Sequence, residues 1–249
     1  MISLADKTIL VTGAAGGIGS AMCRTCADLG AKVALTDLAD SDGGDVADDL
    51  GERVTFYAMD VTDQDDIRNT MERVEGDLGP LSGVVANAGI APTGPTMDYP
   101  KDTWDKVIAI NQTGVFLTAQ EAGHRMNGRG GALVLTSSIA GLSVVHPETH
   151  IAYGASKAAV AHMAALMGVE WAQKGIRVNA VAPGYVDTPI LDAVKKDDPE
   201  MAEEWVDAMP IKRVLRPEEI ANVTAFLLSD AASAITGATI AADGGYSKA

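Results

Sequence analysis

Tyr153 and Lys157 place a phenol and an ammonium four residues apart. On a helix, positions i and i+4 share a face, so both groups can point into one site. The chemistry open to such a pair is proton transfer. A free tyrosine has a pKa near 10 and is a poor base at neutral pH, but neighbouring positive charge favours its phenolate. Lowering the pKa by about three units requires roughly 4 kcal/mol of differential stabilisation. Two positive charges in a partly desolvated cleft can supply it.

A second pattern binds rather than reacts. Gly13-Ala14-Ala15-Gly16-Gly17-Ile18-Gly19 follows an apolar β-branched run and opens a helical one. Gly13, Gly17 and Gly19 let the chain turn sharply and approach a pyrophosphate, and the helix amino terminus at Ile18 presents free N–H groups. The spacing, Gly-x-x-x-Gly-x-Gly, differs from the commoner Gly-x-Gly-x-x-Gly. Asp37 ends the second strand, where an acid can accept both ribose hydroxyls of an adenosine and would repel a 2′-phosphate. Neither Ala14, Ala15 nor Leu38 supplies a base for that phosphate, which selects NAD over NADP. Asp60 and Val61, at the end of the third strand, would lie near the adenine. The ring of the oxidised cofactor would be the second positive charge beside Tyr153.

These residues need a scaffold that brings strand ends together. Strands are expected at 7–12, 32–36, 54–59, 81–86, 132–136, 177–182 and 239–242. Helices are expected at 17–29, 63–76, 101–126, 151–173 and 217–228. Strands alternating with helices imply right-handed crossovers and a doubly wound parallel seven-stranded α/β sheet, helices on both faces. No linker interrupts residues 1–249, so one domain is expected. The stretch 188–213 is longer than ordinary connections and reads as a lid.

Composition narrows the partners. The chain carries 19 Lys+Arg against 34 Asp+Glu, a net charge of −15. That surface repels phosphate backbones and anionic membranes, so no nucleic-acid or membrane partner is expected. No secretory signal is readable, and a cytoplasmic location follows as the expectation. Cys23-x-x-Cys26 reads as two small apolar residues on one helical face rather than a redox pair. The four histidines show no zinc spacing, so no metal is expected.

Taken in order, Thr12-Gly13…Gly17-Ile18-Gly19, Asn87-Ala88-Gly89, Asn111, Ser137-Ser138, Tyr153…Lys157, Pro183-Gly184…Thr188 and Asp243-Gly244-Gly245 resemble the short-chain dehydrogenase/reductase family of the 250-residue Rossmann type. The resemblance spans essentially the whole chain. It implies that Tyr153 exchanges a proton with the substrate oxygen, that Ser138 hydrogen-bonds that oxygen, and that Lys157 lowers the tyrosine pKa and binds the nicotinamide ribose. Asn111 would hold a water in a relay from Lys157. Asn87, Ala88 and Gly89 would lie along the cofactor, and Pro183, Gly184, Val186 and Thr188 would surround its nicotinamide. The family places the serine three residues before the glycine of Ser-Ile-Ala-Gly, which selects Ser138 over Ser137. It also implies a homotetramer.

The separation from Ser138 to Tyr153 is longer than in many members, and the extra residues fall in 142–150. Substrate candidates are therefore Ser138, His146, His150, Tyr153 and Tyr185, with Val145, Pro92, Thr93 and Trp205 around them. Their polarity points to a hydroxylated alcohol or ketone, a polyol or sugar. A 3-oxoacyl-thioester reductase is the alternative, and a dinucleotide-binding protein without turnover the third reading.

Overall fold

The computed structural model describes residues 2–188 and 199–249. Its strands are β1 (Thr8–Thr12), β2 (Lys32–Asp37), β3 (Val54–Ala58), β4 (Leu81–Ala86), β5 (Gly131–Thr136), β6 (Ile176–Pro183) and β7 (Thr239–Ala242). They form one parallel seven-stranded sheet in the order β3-β2-β1-β4-β5-β6-β7. The expected α/β fold is the observed one. The order reverses between β1 and β4, and the crevice at such a switch point is where α/β sheets bind ligands.

Side chains alternate along the strands, and each set packs a different helical layer. Ile9, Val11, Val33, Leu35, Val85 and Val134 join the core beneath α1 (Gly17–Asp28), which supplies Met22, Cys23 and Cys26. Leu10, Ala34, Val84, Leu133 and Val178 face the opposite layer. There α3 (Gln64–Leu78) brings Ile67 and Met71, α5 (Val115–Met126) brings Ala119 and Ala122, and α6 (Ile151–Glu170) brings Val160 and Ala164. The two cysteines are fully buried, and burial pushes the Cys26 thiol up to about 12, which suits packing and not redox exchange.

Three departures matter. A helix at Gly43–Leu50, α2, falls where no element was expected. Its two glycines and three aspartates have low helix propensity, and it is held by packing, with Ala47 in the core and Gly43 against the Phe56 ring. The long helix expected at 101–126 is two helices, α4 (Lys101–Ile108) and α5, joined by a π-helical turn at Ala109–Gly114. Of the expected lid, 189–198 lie outside the described residues; Pro199–Ala208 is helix α7. The last helix, α8 (Pro217–Leu228), packs on α1. Among the described residues, no helix is long and apolar enough to cross a membrane, and no group of side chains could hold a metal ion.

Candidate active site

A cleft of about 860 Å³ opens at the carboxyl ends of β1, β2, β3 and β4. Gly13, Gly16, Gly17, Ile18, Gly19, Asp37, Asp60, Val61, Asn87, Ala88 and Gly89 line it, and so do Tyr153, Lys157 and Thr188. The glycines do different work. Gly13 has φ +61°, and a Cβ there would lie 2.6 Å from Ala88 Cα. A Cβ on Gly19 would lie 2.5 Å from Gly13 O, so this glycine lets α1 approach the loop. Gly16 is extended at φ −166° and a Cβ on it would meet nothing within 4 Å, so what it leaves is open space in the cleft.

Helix α1 has no side-chain cap and no acid in its first turn. Its positive end is therefore left for a ligand, in contrast to α3, where Asp63 caps the backbone of Asp65 and Asp66. Asp37 sits at the rim, its carboxylate fixed by the N–H groups of Ala15 (2.9 Å) and Leu38 (2.8 Å). Asp60 Oδ1 accepts from both the N–H and the hydroxyl of Thr62. The open loop, the uncapped helix and the fixed acid fit a dinucleotide.

Asn87 does not offer its amide to that cleft. Its Nδ2 donates to the carbonyls of Thr12 (3.0 Å) and Gly13 (3.1 Å), while Thr12 Oγ1 accepts from the N–H groups of Asn87 and Ala88. It stitches the β1 loop to the end of β4. Three residues expected around the cofactor, unlike Asn87, are absent from the cleft lining. Pro183 ends β6, Gly184 packs on Asp243, and Val186 is buried in a bridge with Leu215. Thr188, 3.5 Å from where a Gly17 Cβ would lie, does reach across. Met59, Thr62, Ile90, Ala91, Lys106 and Ile110 also line the cleft, and no sequence motif marked them.

Helix α6 carries the reactive pair. Lys157 is 3% exposed, donates to Thr136 O at 2.8 Å, and lies 5.6 Å from the Tyr153 ring centroid. Burial holds its amine down at about 8. The Tyr153 phenol was expected below its ordinary pKa; the structure has it raised, because burial outweighs the opposing hydrogen bond with Ser138. The two serines diverge, as strand-end neighbours must. Ser137 Oγ donates to Lys157 O at 2.7 Å, which locks β5 to α6, and Ser138 faces the phenol.

Asn111 lies in the π turn and is fully buried. Its side chain accepts from Ile90 N (2.9 Å) and donates to Ile90 O (2.8 Å) and Ser156 Oγ (3.3 Å). Its amide N–H groups are thus occupied, and a water beside Lys157 would have to bond the carbonyls of the turn. Ser156, whose hydroxyl donates to Tyr153 O at 2.7 Å, completes this brace and went unmarked in the sequence.

Beyond Tyr153 stands the wall built from residues 142–150 and their neighbours. His150 begins α6, and its ring meets Tyr153 edge-on at 5.3 Å. Tyr185 Oη bonds Glu148 Oε2 (3.1 Å) and His146 O (3.3 Å), while its ring stacks on Trp205 at 4.7 Å. His146 is exposed, and its N–H reaches Tyr246 Oη at 3.4 Å.

A family profile described as "Enoyl-(Acyl carrier protein) reductase" matches residues 13–247. The chain belongs to the short-chain dehydrogenase/reductase family, and it is an oxidoreductase of that family acting on CH–OH groups. It is 43% identical to cis-4-hydroxycyclohexanecarboxylate dehydrogenase of Sinomonas cyclohexanicum, over 98% of both chains. It is 39% identical to galactitol 2-dehydrogenase (L-tagatose-forming) of Cereibacter sphaeroides, over 95% of this chain and 93% of that one. The crystal structure of gox2181 superposes with a TM-score of 0.95 at 36% identity, covering 98% of this chain and 97% of that one. Further relatives are named NAD-dependent glycerol dehydrogenase, NADP-dependent mannitol dehydrogenase and 3-oxoacyl-[acyl-carrier-protein] reductase.

Proposed function

We propose that this chain is an NAD-dependent dehydrogenase that interconverts a secondary alcohol, a polyol, sugar or other small hydroxylated compound, and its ketone. The observation that carries the reading is the Tyr153 phenol in the cleft that the glycine loop opens, with buried Lys157 Nζ 5.6 Å from its ring and Ser138 beside it.

Gly13, Gly16, Gly17, Ile18 and Gly19 would hold the dinucleotide's phosphates by backbone, Asp37 its adenosine ribose, and Lys157 and Thr188 its nicotinamide end. When bound, the dinucleotide supplies a hydride acceptor or donor. The protein's own work is on the proton. In oxidation Tyr153 Oη takes the proton of the substrate hydroxyl, and in reduction it returns one to the carbonyl oxygen. Ser138 Oγ hydrogen-bonds the same oxygen and fixes it at the phenol. Lys157 favours the phenolate by its charge, and its bond to Thr136 O keeps Nζ beside the ring. Asp37 favours NAD because a 2′-phosphate would meet its carboxylate with no base nearby to offset it.

The substrate would lie between Ser138, Tyr153, His146, His150 and Tyr185. The enzyme would act in the cytoplasm, as one domain and as a homotetramer. Apolar Phe116, Leu166 and Val169, exposed on α5 and α6, support association through these helices. The second reading, a 3-oxoacyl-thioester reductase, is favoured by the relative of that name, 37% identical over 97% of this chain. A panel of polyols, sugars, simple alcohols and 3-oxoacyl thioesters, assayed with each dinucleotide at the NADH absorbance band, tests both. Polyol oxidation with strong preference for NAD is the expected result. Equal use of NADP would remove the role of Asp37, and activity confined to thioesters would replace the first reading by the second.

A further inference from the structure

The wall beside Tyr153 is unusual in its hydrogen-bond accounting. Four described side chains carry a buried polar atom without a partner, and two of them, His150 Nε2 and Trp205 Nε1, belong to this wall. Leaving such an atom unpaired forfeits the hydrogen bond it had with water, so each one in a native structure calls for a reason. His150 touches the reacting phenol, and Trp205 joins the same wall through Tyr185. His150 meets the Tyr153 ring at 5.3 Å, and its backbone bridges to Gly94. Trp205 stacks on Tyr185, whose hydroxyl bonds Glu148, two residues before His150. That bond fixes the position of the wall's carboxylate. The groups facing the imidazole are Tyr153 and Glu148; burial keeps His150 below its ordinary pKa, against a smaller opposite pull from Glu148. Burial thus favours the uncharged ring.

A neutral imidazole nitrogen either accepts or donates, according to tautomer. A hydroxyl suits both. A carboxylate can only accept, and here it would approach the fixed charge of Glu148. We infer that His150 Nε2 reads a second hydroxyl on a neutral substrate, close to the reacting carbinol, and that Glu148 excludes carboxylates from the same wall. The inference rests on the reading of the site as a secondary-alcohol dehydrogenase and narrows it to neutral diols and polyols. Tyr185 is a positioning residue in this scheme, since its hydroxyl is already committed to Glu148 and to His146 O.

The test compares kcat/KM for three probes on one carbon skeleton: cis-1,2-cyclohexanediol, cyclohexanol and 2-hydroxycyclohexanecarboxylate. The parent enzyme should prefer the diol to both others. His150→Leu should lower the diol-to-cyclohexanol ratio about tenfold, as for a lost hydrogen bond to a substrate hydroxyl. His150→Gln, which keeps a donor and an acceptor, should retain part of the preference. Glu148→Gln should raise the carboxylate-to-diol ratio about tenfold. Each ratio is independent of the fraction of enzyme that folds. A ratio unchanged within about twofold in His150→Leu, or a parent that prefers the carboxylate, overturns the inference. Failure of the parent to turn over any alcohol or ketone with either dinucleotide would instead overturn the dehydrogenase reading. Titration calorimetry of the diol then decides the wall by itself: tighter binding to the parent than to His150→Leu supports it, and equal affinity overturns it.

Discussion

On the loop side of the cleft, the polar side chains are paired within the protein: Asn87 bonds Thr12 and Gly13, and two backbone N–H groups fix Asp37. The substrate wall is the reverse, with His150 Nε2 and Trp205 Nε1 left over. The first region is a rigid cradle whose selectivity comes from backbone shape and one fixed charge. The second keeps two side-chain atoms without a partner in the protein, one of which we assign to the substrate. A site that must take a constant cofactor can be finished in advance, whereas one that must discriminate among substrates keeps its hydrogen-bonding capacity for them.

The contrast breaks first at the residue the two regions share. Tyr153→Phe should lower kcat by about 10²–10⁴, the usual contribution of a general acid–base group. NADH affinity, read by fluorescence titration, should be retained. Turnover near the parent's would reject the proton role, and lost NADH binding would make Tyr153 part of the cradle.

The cradle itself is tested by two alanines. Gly13→Ala forces a side chain into φ +61° and against Ala88, and should cost about 2–4 kcal/mol of stability. Gly16→Ala enters open space from an extended backbone and should leave stability within about 0.5 kcal/mol. Its loss should appear only in NADH affinity, by about tenfold. Parent-like affinity would mean that the space at Gly16 serves no ligand.

The smallest effect concerns Lys157, a charged group kept in a dry place. Its amine is lowered from 10.5 to about 8, so between those values the unfolded chain binds a proton that the folded one does not. Stability therefore rises with pH across that window, and the full penalty, about 3 kcal/mol, is present below it. Lys157→Met removes the penalty but leaves Thr136 O without its donor. A net gain of about 1–2 kcal/mol, or about 2–8 °C in Tm, is expected at pH 7 and should shrink toward pH 10. A lower Tm at pH 7 would show that the lysine stabilises the fold.

Much of this was legible in the sequence. The strands read as apolar runs because both sheet faces are covered, and the glycine loop was visible because its chemistry is local to seven residues. The π turn was not legible: Ala109 to Gly114 continue a helical pattern. The break is set by tertiary contacts, with Asn111 bonded to the backbone of Ile90 and Gly114 lodged against Val61. Pro183, Gly184 and Val186 were expected at the cofactor from the family resemblance, and what no sequence pattern showed is that this segment pairs with Leu215 and Ala242.

The sequence by itself determined the sheet, the loop after β1 and the spacing of Tyr153 and Lys157, because periodicity and short-range spacing are properties of neighbouring residues. Tertiary structure alone decided that Ser137 turns back onto Lys157 O and which way burial moves the Tyr153 pKa. It alone decided that Asn111 braces Ile90 and that His150 is left unpaired. Each of these depends on what lies across the cleft, and desolvation and hydrogen-bond completion are set by residues far apart in the chain.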